Sequence, residues 1–571
     1  MKCSTRLVPN RMPMRLISLG MIMTVLTSCG GSRPETLSPQ QDVSGARAEN
    51  ELQLVDEAPL SPQPLQTAQS KVSAEGDYAA VPGEGLEERE ARLPEDISPD
   101  FNTEEYDRIY ENPFLTVGQN PLSTFSIDVD TASYTNTRRF LNQNQLPPAD
   151  AVRLEELINY FDYDYPQPTG ADPFSVTTEL TRAPWNPDHE LLMVGIQGQE
   201  LATEELPSNN LVFLLDVSGS MNEPNKLPLL KNAMKLLVEQ LDGGDRVSIV
   251  VYAGAAGLVL EPTPGDEADQ ILAAINALEA GGSTAGGEGI ELAYQVAKEN
   301  FLADGNNRVI LATDGDFNVG PSSDGELVRL IEDKRDDGIF LTVLGFGTGN
   351  YKDSKMEQLA NKGNGNYAYL DSILEAKKAL VTEMGGTLVT IAKDVKLQLE
   401  FNPGAVKAYR LLGYENRLLN AEDFNDDQKD AGELGAGHSV TALYELIPAD
   451  SDEPVPGVDP LQYQQTTVVP SDDLLTLKLR YKQPDGDTSK LLQTSLQRDA
   501  IANGDRSNAS ENLQFASAVA EFGLLLRDSQ YKADASYDNV LNRARQSQGA
   551  DFHGYRSEFL TLVEQASLLS R

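Results

Sequence analysis

The run Asn210-Leu211-Val212-Phe213-Leu214-Leu215-Asp216-Val217-Ser218-Gly219-Ser220-Met221 decides the fold. Leu211 to Leu215 are consecutive apolar residues. They read as a strand buried on both faces, the pattern of a central strand in a parallel sheet. The strand ends at Asp216, and Asp216, Ser218 and Ser220 then place one carboxylate and two hydroxyls at spacing two on a tight loop. In open α/β sheets, ligands bind at this carboxyl end of the strands. Hard oxygens converging there suit a divalent cation such as Mg2+. Ser and Asp also favour such loops as caps and turn formers, so the short pattern alone leaves a plain capping loop open.

Two later stretches extend the set. Gly281-Gly282-Ser283-Thr284 is a glycine-rich loop ahead of a helical run, and Arg308-Val309-Ile310-Leu311-Ala312-Thr313-Asp314-Gly315 is a second buried strand ending in an aspartate. Asp216, Ser218, Ser220, Thr284 and Asp314 together supply five oxygens from three loops. This set, in this chain order, resembles the metal-ion-dependent adhesion site of von Willebrand factor type A domains. The resemblance implies bound Mg2+, with Mn2+ or Ca2+ as alternatives. It also implies one remaining coordination position, filled by an acidic side chain of a protein partner or by water.

The segments around this site alternate. Leu230, Met234, Leu237 and Leu241 share a helix face. Asp245 to Ala253 is a strand with a hairpin partner near Val259. Helices follow at 268–278, 290–301 and 324–334, strands at 339–346 and 367–370, and a last helix over Ile373 to Met384. The alternation predicts an α/β fold over 207–385, with a doubly wound, mostly parallel sheet.

The flanks have a different period. Phe174 to Arg182 and Leu191 to Ile196 read as strands. Beyond Gly385-Gly386, residues alternate at Val395, Leu397, Leu399 and Phe401, at Val440, Ala442, Tyr444 and Leu446, and at Leu475, Leu477, Leu479 and Tyr481. These predict a β-rich, sandwich-like domain over 386–505. An isolated amino-terminal strand pair is marginal in water. It is therefore expected to join the later strands, which makes the α/β domain an insertion. Residues 96–206 form the amino-terminal flank, with a strand and turn over Thr124 to Tyr134 and a helix over Ala151 to Phe161. Residues 506–571 read as helical, with Phe515, Val519, Phe522 and Leu526 on one face.

The first residues read as a targeting signal. Lys2, Arg6, Arg11 and Arg15 precede the apolar run Leu16 to Leu26, which is too short for a stable membrane span. Leu26-Thr27-Ser28-Cys29 resembles a bacterial lipobox. That resemblance implies removal of residues 1–28, lipidation of Cys29 and anchorage in a bilayer. Gly30, standing where an aspartate would retain such a protein at the inner membrane, favours the outer membrane of a bacterial envelope. Cys3 and Cys29 are the only cysteines, so no disulfide and no cysteine-based zinc site is expected in the mature chain. Residues 29–95 are polar and rich in Ser, Pro, Gln and Glu, which predicts a disordered acidic tether. The net charge is −42, and loss of the four basic residues before Cys29 takes it to −46. Such a chain is not expected to bind nucleic acid or anionic headgroups by electrostatics.

Other motifs carry less. Gly345-Phe-Gly-Thr-Gly349 has its third glycine one place early for a dinucleotide fingerprint. Asp423 to Glu433 matches a calcium loop only at its first acidic or amide positions, and a solvated acidic loop is expected. Asp128 and Asp130 are open to metal binding or to bonding local backbone amides, the second being expected. His189, His438 and His553 have no ligand spacing, and no nucleophile motif is present, so catalysis is not expected.

Three further segments, Thr124 to Tyr134, Ala312 to Gly320 and Tyr409 to Arg417, together with Asp430 to His438, resemble bacterial von Willebrand factor A lipoproteins that carry a smaller domain on each side. The expectation is a membrane-tethered, Mg2+-dependent protein-binding module acting in adhesion or scaffolding. A scaffold whose metal only stabilises loops, and a metal-dependent hydrolase, are the alternatives. No small-molecule substrate is expected.

Overall fold

The computed structural model describes residues 103–202, 206–283, 286–315, 317, 324–455, 457, 462–463, 468–501 and 509–571. The expected signal segment, Cys29, the expected tether and Thr284 lie outside the described residues. The described residues belong to one compact unit, Arg92–Arg571.

At its centre is the expected α/β sheet, in the strand order Tyr367–Tyr369, Phe340–Gly345, Asn306–Thr313, Asn209–Asp216, Arg246–Tyr252, Ala256–Pro264. All neighbours are parallel except the hairpin of Arg246–Tyr252 with Ala256–Pro264. Every residue of Asn209–Asp216 is buried, as its unbroken apolar run requires. Its side chains point alternately to two cores. Leu211, Phe213 and Leu215 join Leu230, Met234 and Leu237 on one face, while Val212 and Leu214 meet Ile290, Tyr294 and Ile331 on the other.

The flanking strands build a sandwich. One antiparallel sheet runs Leu115–Thr116, Val406–Leu412, Ser439–Pro448, Asn186–Gly198, Phe174–Ala183. The other contains Gly432–Gly435, Thr390–Phe401, Asp473–Lys482 and Lys490–Gln497, with Leu122–Ser126 also on Thr390–Phe401. Val194 and Ile196 of one sheet share a core with Leu397, Leu399, Leu477 and Leu479 of the other. The amino-terminal pair does join the later strands: Val194 lies opposite Ala442. The α/β domain is thus inserted between strands of one sandwich.

The carboxyl-terminal helices Glu511–Leu526, Tyr537–Gln546 and Tyr555–Leu569 pack with Ala132–Asn142 and Leu154–Asn159 around Leu154, Leu157, Phe161, Phe515, Phe522 and Phe559. Segments 96–206, 386–505 and 506–571 therefore share cores. Gly523 permits this approach, because a Cβ there would stand 2.2 Å from Leu154 Cδ2.

Three local expectations need correction. The strand-and-turn reading of Thr124 to Tyr134 misses a helix beginning at Ala132. Its arginines disguise it, since Arg138 and Arg139 are buried and paired, Arg138 with Asp371 at 2.6 Å and Glu375 at 2.8 Å, and Arg139 with Glu104 at 2.9 Å. The expected helix over Ala151 to Phe161 is confined to Leu154–Asn159, after a single tight turn at Ala149–Ala151. The expected helix Ile373 to Met384 is broken into Ile373–Lys377, a wide turn Lys378–Thr382 and Met384–Leu388. There Thr387 Oγ1 donates to Ala379 O at 3.1 Å, and the buried Lys378 pairs with Glu383 over the Tyr160 ring. Lys378 and Glu383 stand five positions apart, the spacing that a widened turn brings together.

Candidate metal centre

From strand Asn209–Asp216 the chain passes to Arg246–Tyr252 on one side and later to Asn306–Thr313 on the other. Loops leaving the two central strands therefore diverge, and their carboxyl ends flank a crevice. Asp216 and Asp314 stand at those two ends, both fully buried.

The Asp216 loop is held mainly by backbone bonds. Ser218 N donates to Asp216 Oδ1 at 2.8 Å, and Val217 N to Tyr252 O at 3.0 Å. The tight turn Gly219–Asn222 then swings Ser220 back, so that Ser218 Oγ and Ser220 Oγ lie 3.0 Å apart. The glycine loop is tied on by Gly219 N to Gly282 O at 3.0 Å and Gly281 N to Val217 O at 2.8 Å. Gly282 has φ +89°, a conformation that favours glycine. The expected ligand Thr284 lies outside the described residues, two positions beyond this anchored turn. On the adjacent strand, Thr313 Oγ1 donates to Asp216 Oδ2 at 3.5 Å.

Sequence reasoning missed Lys226. It is 4 % exposed, precedes helix Leu227–Val238, and donates from Nζ to Asp314 Oδ2 at 3.0 Å. Its stem lies against Gly347, where a Cβ would stand 2.3 Å from Lys226 Cε. No spacing rule links residues 226, 314 and 347; the sheet brings them together. Burial pushes the Asp216 carboxyl up to about 6, the Asp314 charge adds to this, and the bonds from Ser218 oppose it.

The donor set fits a divalent cation. Two ligands at 2.0–2.1 Å and a right angle stand about 2.9–3.0 Å apart, the separation of the two serine hydroxyls. Two carboxylates in a buried crevice supply the charge. The Lys226 ammonium opposes a cation at Asp314, and so sets a cost for metal entry.

The remaining motifs resolve otherwise. Asp128 Oδ1 accepts from Asp130 N at 3.2 Å, the local bond expected, but Asp130 Oδ1 accepts from the distant Tyr367 N at 2.7 Å. In the 423–433 stretch, Asp423 accepts from Asn420 N, Asp427 from Ser489 Oγ, and Asp430 pairs with Arg335 at 2.9 Å. His189 bridges Glu445 at 2.6 Å and Glu453 at 2.7 Å, while His553 stacks on Tyr555.

Three family profiles match the chain. "von Willebrand factor" matches residues 100–193, "von Willebrand factor type A domain" residues 210–382, and "Uncharacterized protein YfbK, C-terminal" residues 386–569. The chain is 44% identical to uncharacterized protein YfbK of Escherichia coli (strain K12) over 476 residues, covering 81% of each. It is 27% identical to uncharacterized protein sll0103 of Synechocystis sp. over 347 residues, 54% of this chain and 78% of that one. Among solved structures, von Willebrand factor type A from Catenulispora acidiphila is similar at 16% identity and a TM-score of 0.38, covering 68% of this chain and 90% of that one.

Proposed function

The chain belongs to the bacterial von Willebrand factor type A family that includes YfbK, and from that premise we propose that it is an Mg2+-dependent protein-binding module tethered to an envelope membrane. A domain of this type points to protein interaction or adhesion, and the family to a module without catalysis. The reading is supported by the Ser218–Ser220 hydroxyl pair at 3.0 Å just beyond Asp216, and by Asp314 at the end of the neighbouring parallel strand. Asp216, Ser218, Ser220 and Asp314 would hold the ion, with Thr284 from the glycine loop. A bound Mg2+ supplies an electrophilic centre for an acidic side chain of the partner. The chain's own part is to keep the two hydroxyls at ligand spacing by the tight turn, to exclude bulk water from both carboxylates, and to hold Asp314 through Lys226.

The tether belongs to the same proposal. A lipidated Cys29 would hold the folded unit to the bilayer through residues 30–95, and among the described residues no helix is long and apolar enough to cross a membrane. The test is capture of envelope proteins by the full chain with Mg2+ and with EDTA, for wild type and Asp216→Ala. The reading requires capture only by the wild type with Mg2+. Equal capture by the variant would leave the metal a purely structural part.

A further inference from the structure

A second set of acids lies outside the Asp216 crevice. Asp128 follows strand Leu122–Ser126, Glu156 is on helix Leu154–Asn159, and Glu357 is on helix Asp353–Lys362 of the α/β domain. One carboxylate oxygen from each lies within 4.8 Å of the others, and all three residues are buried. Asp130 and Asp353 lie in the same cluster. Arg417 stands 3.0 Å from Asp128 Oδ1, 3.4 Å from Asp130 Oδ2 and 3.6 Å from Glu357 Oε1. Arg153 pairs with Glu156, with Asp353 at 2.5 Å and with Glu357 at 3.4 Å.

Two observations go beyond the presence of acids. The first is charge. Five carboxylates, those of Asp128, Asp130, Glu156, Asp353 and Glu357, face two guanidiniums, those of Arg153 and Arg417. An uncompensated charge buried this way is strongly destabilising. The second is a free ligand atom. The Asp128 side chain is 4 % exposed, yet its Oδ2 has no hydrogen-bond partner among the described residues. Buried polar atoms are nearly always satisfied, and a carboxylate oxygen is satisfied by a donor or a cation. The chemistry also fits, because Ca2+ takes oxygen ligands, carboxylates among them, in flexible geometry. A cavity of about 1150 Å3, lined by Asp128, Asp130, Glu357 and Arg417 among others, gives the ion and its waters a way in.

We propose that Asp128, Glu156 and Glu357 bind one divalent cation such as Ca2+, joining the inserted α/β domain to the layer on which it sits. Asp128 and Glu156 come from the amino-terminal segment, and Glu357 comes from the insertion. The site is separate from the Asp216 crevice and does not depend on the function proposed there.

The experiment is calorimetric Ca2+ titration of the full chain carrying Asp216→Ala, alone and combined with Asp128→Asn or Glu357→Gln. The Asp216→Ala chain should bind one equivalent of Ca2+ with a rise in Tm. Either added substitution should remove that equivalent and the rise, with circular dichroism unchanged. Should both added variants unfold, the equivalents bound by the Asp216→Ala chain decide by themselves. No bound Ca2+ in that chain overturns the proposal and leaves protons to balance the acids. Retention of Ca2+ in folded Asp128→Asn and Glu357→Gln chains overturns it as well, and places the ion elsewhere.

Discussion

Lys226→Met should tighten Mg2+ binding. The Lys226 ammonium sits 3.0 Å from Asp314 Oδ2, both groups being buried. A cation taking Asp314 as ligand must displace or repel that ammonium. A hydrogen bond to a charged group contributes about 1.5–3 kcal/mol. At about 1.4 kcal/mol per tenfold, removing the competitor should lower the Mg2+ Kd about 10- to 100-fold. Met retains most of the stem that packs on Gly347, so the loss is chiefly one of charge. Taking the counter-charge from a buried carboxylate should also cost the metal-free protein up to about 3–5 kcal/mol. The variant should then melt lower than wild type in EDTA and recover most of the difference in Mg2+. Calorimetric titration with melting curves in both buffers measures the two effects. An unchanged or weaker Mg2+ affinity, with a lower Tm that Mg2+ does not restore, would refute the competition and remove Asp314 from the ligand set.

Asp216→Ala should lose Mg2+ binding while keeping its far-ultraviolet spectrum, because its loop is pinned largely by backbone bonds; undiminished calorimetric binding would take Asp216 out of the site. Trp185→Ala removes a fully buried ring from the core beneath the carboxyl-terminal helices and should destabilise by about 3–5 kcal/mol, read as a shifted denaturant midpoint. His438 packs on Gly386, and its Nδ1 is enclosed without a partner among the described residues. Burial, aided by the Lys378 charge, pushes its pKa down to about 4. The unfolded chain therefore binds the proton more readily. The stabilising contribution is whole above about 6.5 and is lost as pH falls toward 4, amounting to at most about 3 kcal/mol. His438→Gln should flatten that part of the pH–stability curve, and identical slopes for the two proteins would dismiss the effect. Cys29→Ser should move the protein from the membrane to the soluble fraction or leave its signal uncleaved; wild-type labelling by palmitate in the variant would refute the anchor.

Much of the architecture was legible because it rests on periodicity. The unbroken apolar run into Asp216 and its twin into Asp314 have one stable environment, the middle of a parallel sheet, and both strands lie there. Alternation likewise specified the strands Val395 to Phe401 and Leu475 to Tyr481; the second has one buried face, while in the first Lys396 and Gln398 are buried as well. The instability of a lone strand pair was enough to send Phe174 to Ile196 into the later sheet. Where polar residues are buried, this signal fails. Helix Ala132–Asn142 hides Arg138 and Arg139 inside ion pairs, so its inward face does not look apolar. At the break around Lys378, the Tyr160 ring under the ammonium is a partner that only folding supplies.

The site divides in the same way. Which oxygens stand at the strand ends can be read from the residues alone, because loop position follows from strand position, and strand position from hydrophobic pattern. It takes the folded chain to bring Lys226 to Asp314, and Asp128, Glu156 and Glu357 into one buried cluster with fewer guanidiniums than carboxylates. Those residues are separated by 28 to 229 positions along the chain. Charges interact through space, and no local pattern records which distant groups the packing of apolar surfaces will place side by side.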